Sequence, residues 1–183
     1  MTQASDTRRQ PTRPGRRTPR AKAMTLAVLG IATAGAVLAL HHASSEAFLV
    51  INESRSMPRG LYRMSDAPII EGAIVTIIPP LAARAYLETL GAPADVRLLK
   101  RVAAIGGDKV CRHETGLEIA GITLVVARHD RAGRPLPQWP ECRTLGPEEL
   151  MVLGDSPDSF DSRYFGPINR SEAIGPYVEA IHW

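Results

Sequence analysis

Metal and redox chemistry find no foothold in this sequence. Its five histidines (His41, His42, His113, His129 and His182) and its two cysteines (Cys111 and Cys142) are scattered, whereas zinc sites draw their ligands from closely spaced sets in register. No metal and no cofactor are therefore expected. Aromatic residues make up only 5% of the chain, and after residue 22 they do not interleave with a basic cluster, which excludes nucleic acid as the main partner. Internal repeats and low-complexity stretches are also missing beyond that point, so the body of the chain reads as one globular domain of moderate size.

What is present is unevenly distributed. Residues 1–22 hold seven of the 22 basic residues (Arg8, Arg9, Arg13, Arg16, Arg17, Arg20 and Lys22) and only Asp6 of the 19 acidic ones, so the formal net charge of +3 becomes −3 in the remainder, 15 basic groups against 18 acidic. This tail carries Pro11, Pro14, Gly15 and Pro19 without apolar periodicity and is expected to be disordered. Met24 to Leu40 follow as seventeen residues without a charge, the short limit for a helix crossing the hydrocarbon core of a bilayer. Arginine on one flank only keeps the tail cytoplasmic and carries the chain across from about His41 onward.

The expected organisation is thus a basic cytoplasmic tail over 1–22, a transmembrane anchor over 23–41 and an exported, periplasmic domain over 42–183. A cleaved secretory signal is the alternative, since Ala43-Ser44-Ser45 offers small residues at a cleavage spacing. The long arginine-rich flank and the length of the apolar run favour a retained anchor. Both readings export the domain. There, an oxidising compartment would allow Cys111 and Cys142 to form one disulfide, with two buried free thiols as the alternative.

The exported part reads mainly as β-strands and turns. Ile74 to Ile78 is a β-branched run closed by Pro79-Pro80, and Leu98 to Ile105 is another, closed by Gly106-Gly107-Asp108. Lys109 to His113, Leu117 to Ala120, Ile122 to Ala127 and Leu150 to Leu153 continue the pattern, and one helix is expected from Leu81 to about Leu90, stopped at Gly91. Short strands so closely spaced predict an all-β barrel or sandwich.

Alternation along the second run singles out Lys100. Leu98, Lys100, Val102 and Ala104 share one face, while Arg97, Leu99, Arg101 and Ala103 share the other. A lysine buried among apolar groups is disfavoured in its charged form, and the lowered pKa lets it accept a proton near neutral pH. The alternative is a packed stem whose ammonium reaches water at the strand edge. Ser56 is the matching nucleophile candidate, because a serine hydroxyl needs a neutral base within hydrogen-bond reach. Pro58 and Gly60 pre-shape the loop that presents it. Ser54, with the Ser56 backbone N–H, could form an oxyanion-binding pair; otherwise Ser54-Arg55-Ser56-Met57-Pro58 is a polar turn entering a strand.

Three stretches taken together carry a resemblance. Ser56-Met57-Pro58-Arg59-Gly60-Leu61-Tyr62, then Leu99-Lys100-Arg101-Val102 with Gly106-Gly107-Asp108-Lys109-Val110, then Gly154-Asp155 through Asp161-Ser162-Arg163-Tyr164-Phe165-Gly166 resemble the boxes of bacterial type I signal peptidases, in that family's order. Pro58 directly after Met57, a single anchor and a compact exported domain are most similar to the TraF-like peptidases of conjugative transfer. The resemblance implies a mainly β, signal-peptidase-like complex fold with one N-terminal transmembrane helix, set in a bacterial inner membrane.

It implies Ser56 as nucleophile and Lys100 as general base, with Ser54 and Ser56 as oxyanion donors. Ser159 would orient the lysine, and Asp161 and Arg163 would form a supporting ion pair. The implied substrates are membrane-embedded pilin precursors, with cyclisation as one outcome, or secreted preproteins in a general signal peptidase. Ile74, Val75 and Ile77 are expected to line shallow pockets for small substrate residues. Two rivals remain: a lipid-type esterase built on Gly154-Asp155-Ser156 with Glu179 and His182, which needs a parallel α/β sheet, and a catalytically silent, membrane-tethered assembly protein.

Overall fold

A computed structural model describes residues 48–183. The expected tail (1–22) and anchor (23–41) lie outside the described residues, among which no helix is long and apolar enough to cross a membrane.

The described chain is mainly β. Strands β1 (Leu49–Asn52), β2 (Gly60–Met64) and β3 (Ile74–Ile77) precede helix α1 (Leu81–Thr89). Then come β4 (Leu98–Ala104), β5 (Lys109–His113), β6 (Gly116–Ile119), β7 (Ile122–Leu124), β8 (Cys142–Thr144) and β9 (Glu149–Leu153). A short helix α2 (Ser162–Phe165), β10 (Ile168–Asn169), a 3₁₀ turn (Arg170–Glu172) and β11 (Ala173–His182) complete it. Seven strands form one sheet in the order β1-β2-β11-β3-β4-β9-β10, and four form a second in the order β7-β6-β5-β8. Among the described residues every strand pairing is antiparallel, without the parallel sheet that an esterase reading of Ser156 requires.

The strands expected over Ile74–Ile78, Leu98–Ile105, Lys109–His113 and Leu150–Leu153 are present within a residue at each end, and the helix ends at Thr89 with Gly91 at a φ of 78° beyond it. The seventh strand is shorter than expected, stopping at Leu124 rather than Ala127. Its partner begins at Gly116 and the paired register ends at Leu117↔Leu124, so residues 126 and 127 lie beyond the end of β6. Ala120 and Gly121, both at positive φ, make the two-residue turn between β6 and β7, as a tight hairpin requires.

Strand β11 was not visible in the sequence because Gly175-Pro176 reads as a turn. A register shift between Ile174 and Tyr177 against β3 absorbs that pair, and a second, between Glu179 and Ile181 against β2, lies further along the ten-residue strand that runs between β2 and β3. Val75, Ile77, Val102, Leu150, Val152 and Ile168 form one core cluster on the large sheet. A second, of Ala104, Met151, Val110, Leu117, Ile119, Leu145 and Trp139, packs the small sheet against the large one. Cys111 and Cys142 face each other across β5 and β8, and their sulfurs are bonded.

Candidate active site

Lys100 lies at the middle of β4, opposite Val75 of β3. Because β4 runs between β3 and β9, both of its edges are paired; Leu99, from the face expected to be mixed, is buried alongside Lys100, Val102 and Ala104, while Arg101 of that same face stays partly exposed. The strand offers no edge at which a long side chain could reach water. Lys100 is 2% exposed, and its Nζ donates to Ser159 Oγ at 2.8 Å. Burial pushes the Lys100 ammonium down to about 8; the Asp161 carboxylate opposes that shift, and the Arg163 guanidinium adds to it.

Ser56 sits in the connection from β1 to β2, a segment held from within by Asn52. The buried Asn52 amide donates to the backbone oxygens of Ser54, Met57 and Pro58 at 3.1, 3.0 and 2.9 Å, and its Oδ1 accepts from Ser54 N and Ser54 Oγ at 3.2 and 2.7 Å. Tyr62 Oη adds a bond to Pro58 O at 2.7 Å. Sequence reasoning passed over Asn52; an asparagine closing an apolar strand just before a serine-rich turn is the signal that points to it. Ser54 Oγ and Ser56 Oγ are 3.0 Å apart. With the Ser54 proton given to Asn52, that contact is a donation from Ser56. An oxyanion role for Ser54 therefore asks its hydroxyl to turn from Asn52 toward substrate.

Ser159 is placed by the loop between β9 and α2. Asp161 caps α2 by accepting from Arg163 N, and also accepts from Gly154 N at 2.9 Å. Arg163 bonds Asp161 through Nε and Nη2 at 2.8 and 2.7 Å, and its guanidinium also donates to the backbone oxygens of Pro157, Ser156 and Ser159. Both side chains are almost fully buried. The loop thus folds around one guanidinium and presents Ser159, while Ser156 Oγ accepts from Asp158 N instead. A second tie runs from Arg101 to Asp155, with Nε–Oδ1 at 2.9 Å and Nη2–Oδ2 at 2.8 Å. Ser156 N donates to Ser56 O at 3.2 Å, joining this loop to the Ser56 loop.

A cleft of about 610 Å³ brings Ser54, Ser56 and Lys100 together with apolar walls from β1 and β4. A second, of about 950 Å³, shares Ser56 and Phe160 with it and is rimmed by Tyr86, Asp130, Arg131 and Arg134. The expectation that Ile74, Val75 and Ile77 line the substrate pocket is corrected. Val75 and Ile77 are wholly buried in the core, Ile74 packs in the cluster around Tyr62 and Tyr177, and Thr76 is the β3 residue that lines the cleft. Alternation along the strand turns the neighbours of Thr76 the other way. Glu179 and His182 approach to 3.6 Å on β11, while Ser156 sits in the β9–α2 loop.

The comparisons with known proteins agree with these motifs. Residues 21–183 match the family described as signal peptidase, peptidase S26. Two plasmid transfer proteins TraF of Escherichia coli are each 36% identical to this chain, covering 81% and 84% of it and 92% and 94% of their own length. A probable conjugal transfer protein TraF of Sinorhizobium fredii is 32% identical over 72% of this chain and 76% of its own. A crystal structure of a signal peptidase I from Enterococcus faecalis, 20% identical, covers 61% of this chain and 98% of that one with a TM-score of 0.35.

Proposed function

The chain belongs to the peptidase S26 signal peptidase family, and on that footing we propose that it is a membrane-anchored serine endopeptidase with a Ser56/Lys100 dyad. One observation carries this reading: a nearly fully buried lysine amine, depressed to about 8, lines the same cleft as a serine hydroxyl held in a braced loop. One Lys100 N–H goes to Ser159, which leaves the lone pair of the neutral amine for Ser56. Nζ takes the Ser56 proton as Oγ attacks the scissile carbonyl, the oxyanion is met by the Ser56 N–H with Ser54, and the Lys100 ammonium returns the proton to the departing amine. Water then releases the acyl group; attack by the substrate's own amino group would give a cyclic product instead.

The substrates on this reading are membrane-inserted pilin precursors of a conjugative system, cut on the periplasmic side. The plasmid-transfer names of the relatives support that narrower role over general presequence removal. The basic tail and the apolar run of residues 24–40 support a domain held outside the inner membrane. The full chain is expected to remain with the membrane fraction after alkaline extraction; release into the soluble fraction would count against an anchor.

Lys100 must be neutral to act, so kcat/KM is expected to rise about tenfold per pH unit below the lysine pKa and to level off above about 8. A pH–rate profile with a fluorogenic precursor peptide tests this. A rate that stays flat from about pH 6 to 9 removes Lys100 as the base.

A further inference from the structure

The floor of the cleft beside Ser56 contains a hydroxyl with nothing to bond. Thr76 is 3% exposed, and among the described residues its Oγ1 is the one buried side-chain polar atom without a hydrogen-bond partner. The neighbouring polar groups are engaged: Lys100 with Ser159, Asn52 with the turn, and Ser54 with Asn52 and Ser56. Thr76 pairs with Leu99 of β4 on one side and with Ile174 of β11 on the other, and all three line the cleft. An apolar cross-strand row is thus interrupted at its centre by one hydroxyl. Valine has nearly the same shape and would sit in that row without leaving a buried donor unmet. A buried polar group in this condition calls for an explanation, and its place in the wall of an open cleft supplies one.

We propose that Thr76 is a specificity-determining residue whose hydroxyl bonds a short polar side chain, serine, threonine or asparagine, of the polypeptide segment seated in this cleft. The inference rests on the peptidase reading above, which makes the cleft a substrate site. Apolar neighbours Leu99, Ile174 and Val50 exclude water around that bond, so a precursor lacking the group leaves Thr76 unpaired and is disfavoured.

The test separates this inference from the peptidase reading by measuring affinity rather than turnover. Capped alanine-based hexapeptides with threonine or valine at each position in turn are titrated calorimetrically against the full chain carrying Ser56→Ala, with Thr76 or with Thr76→Val. At one peptide position, threonine is expected to bind about tenfold tighter than valine, and Thr76→Val is expected to abolish that ratio. A ratio that Thr76→Val leaves unchanged, as a bound water on Thr76 would give, overturns the proposal. So does an equal weakening of every peptide, which would place Thr76 against substrate backbone, and so does the absence of binding by any peptide. Failure of the peptidase reading shows separately, as lack of precursor cleavage by the unaltered chain.

Discussion

Replacing Lys100 with methionine is expected to stop precursor cleavage, with the rate falling at least about 10³-fold, and to leave the fold intact. Ser56→Ala gives the same loss, because nucleophile and base act as one unit and removing either removes the acyl transfer. The stability arm distinguishes a dead enzyme from an unfolded one. The Lys100 pKa is depressed in the folded state, so between about 8 and the ordinary lysine value the unfolded chain holds a proton that the folded chain lacks. Stability therefore rises with pH across that window, and below about 8 the buried ammonium costs the fold about 3 kcal/mol. Methionine removes that burden while filling similar space.

Against the gain, Ser159 Oγ loses its donor, a cost of about 1–3 kcal/mol. At neutral pH the melting temperature of Lys100→Met should therefore equal or exceed that of the parent chain. Cleavage retained in either variant removes the dyad, and a markedly lower melting temperature of Lys100→Met shows that the lysine is not buried at the cost inferred.

Asp161→Ala is expected to give the largest loss of stability of any single change in the site. Asp161 is fully buried and is the carboxylate bonded to Arg163, itself 4% exposed; taking it away leaves a guanidinium without its ion-pair partner in the interior. Breaking such a pair from one side costs about 3–5 kcal/mol, a large share of the few kcal/mol by which a domain is stable. For a domain of this size that corresponds to a fall of about 10 °C in melting temperature, measurable by thermal unfolding.

Cleavage should fall as well, because Gly154 N loses its acceptor and the loop that presents Ser159 loses its cap. The double change Asp161→Leu with Arg163→Met should regain much of the stability, since no buried charge is then left alone. It should not regain activity, because the Pro157, Ser156 and Ser159 carbonyls still lack the guanidinium that gathers them. A double variant as active as the parent would reduce the ion pair to a packing element with no part in placing Ser159.

Much of this site was legible before any coordinates. Lys100 stood out because period-two alternation set it among Leu98, Val102 and Ala104, and the structure adds that both edges of β4 are paired, so its ammonium finds no strand edge at which to reach water. Asp161 and Arg163 were expected as a pair from the family resemblance of their motif rather than from any local pattern. Asn52 was not, since its role depends on three carbonyls that the turn brings to it. Thr76 was hidden for the converse reason. Within Ile74-Val75-Thr76-Ile77 it looks like one more β-branched residue, and only the assembled cleft shows which of the four lines it.

Local chemistry wrote the mainly β character, the strand carrying Lys100, the prolines closing β3 and the three motif boxes directly into the order of residues, because alternation and turn-forming residues act over a few positions. The meeting of Ser56, Lys100 and Ser159 is of another kind. It depends on β11 inserting between β2 and β3 and on the Arg163-centred loop folding back over β4. Contacts between residues 59 positions apart are selected by burial and hydrogen-bond closure across the whole sheet, and no short-range pattern encodes them.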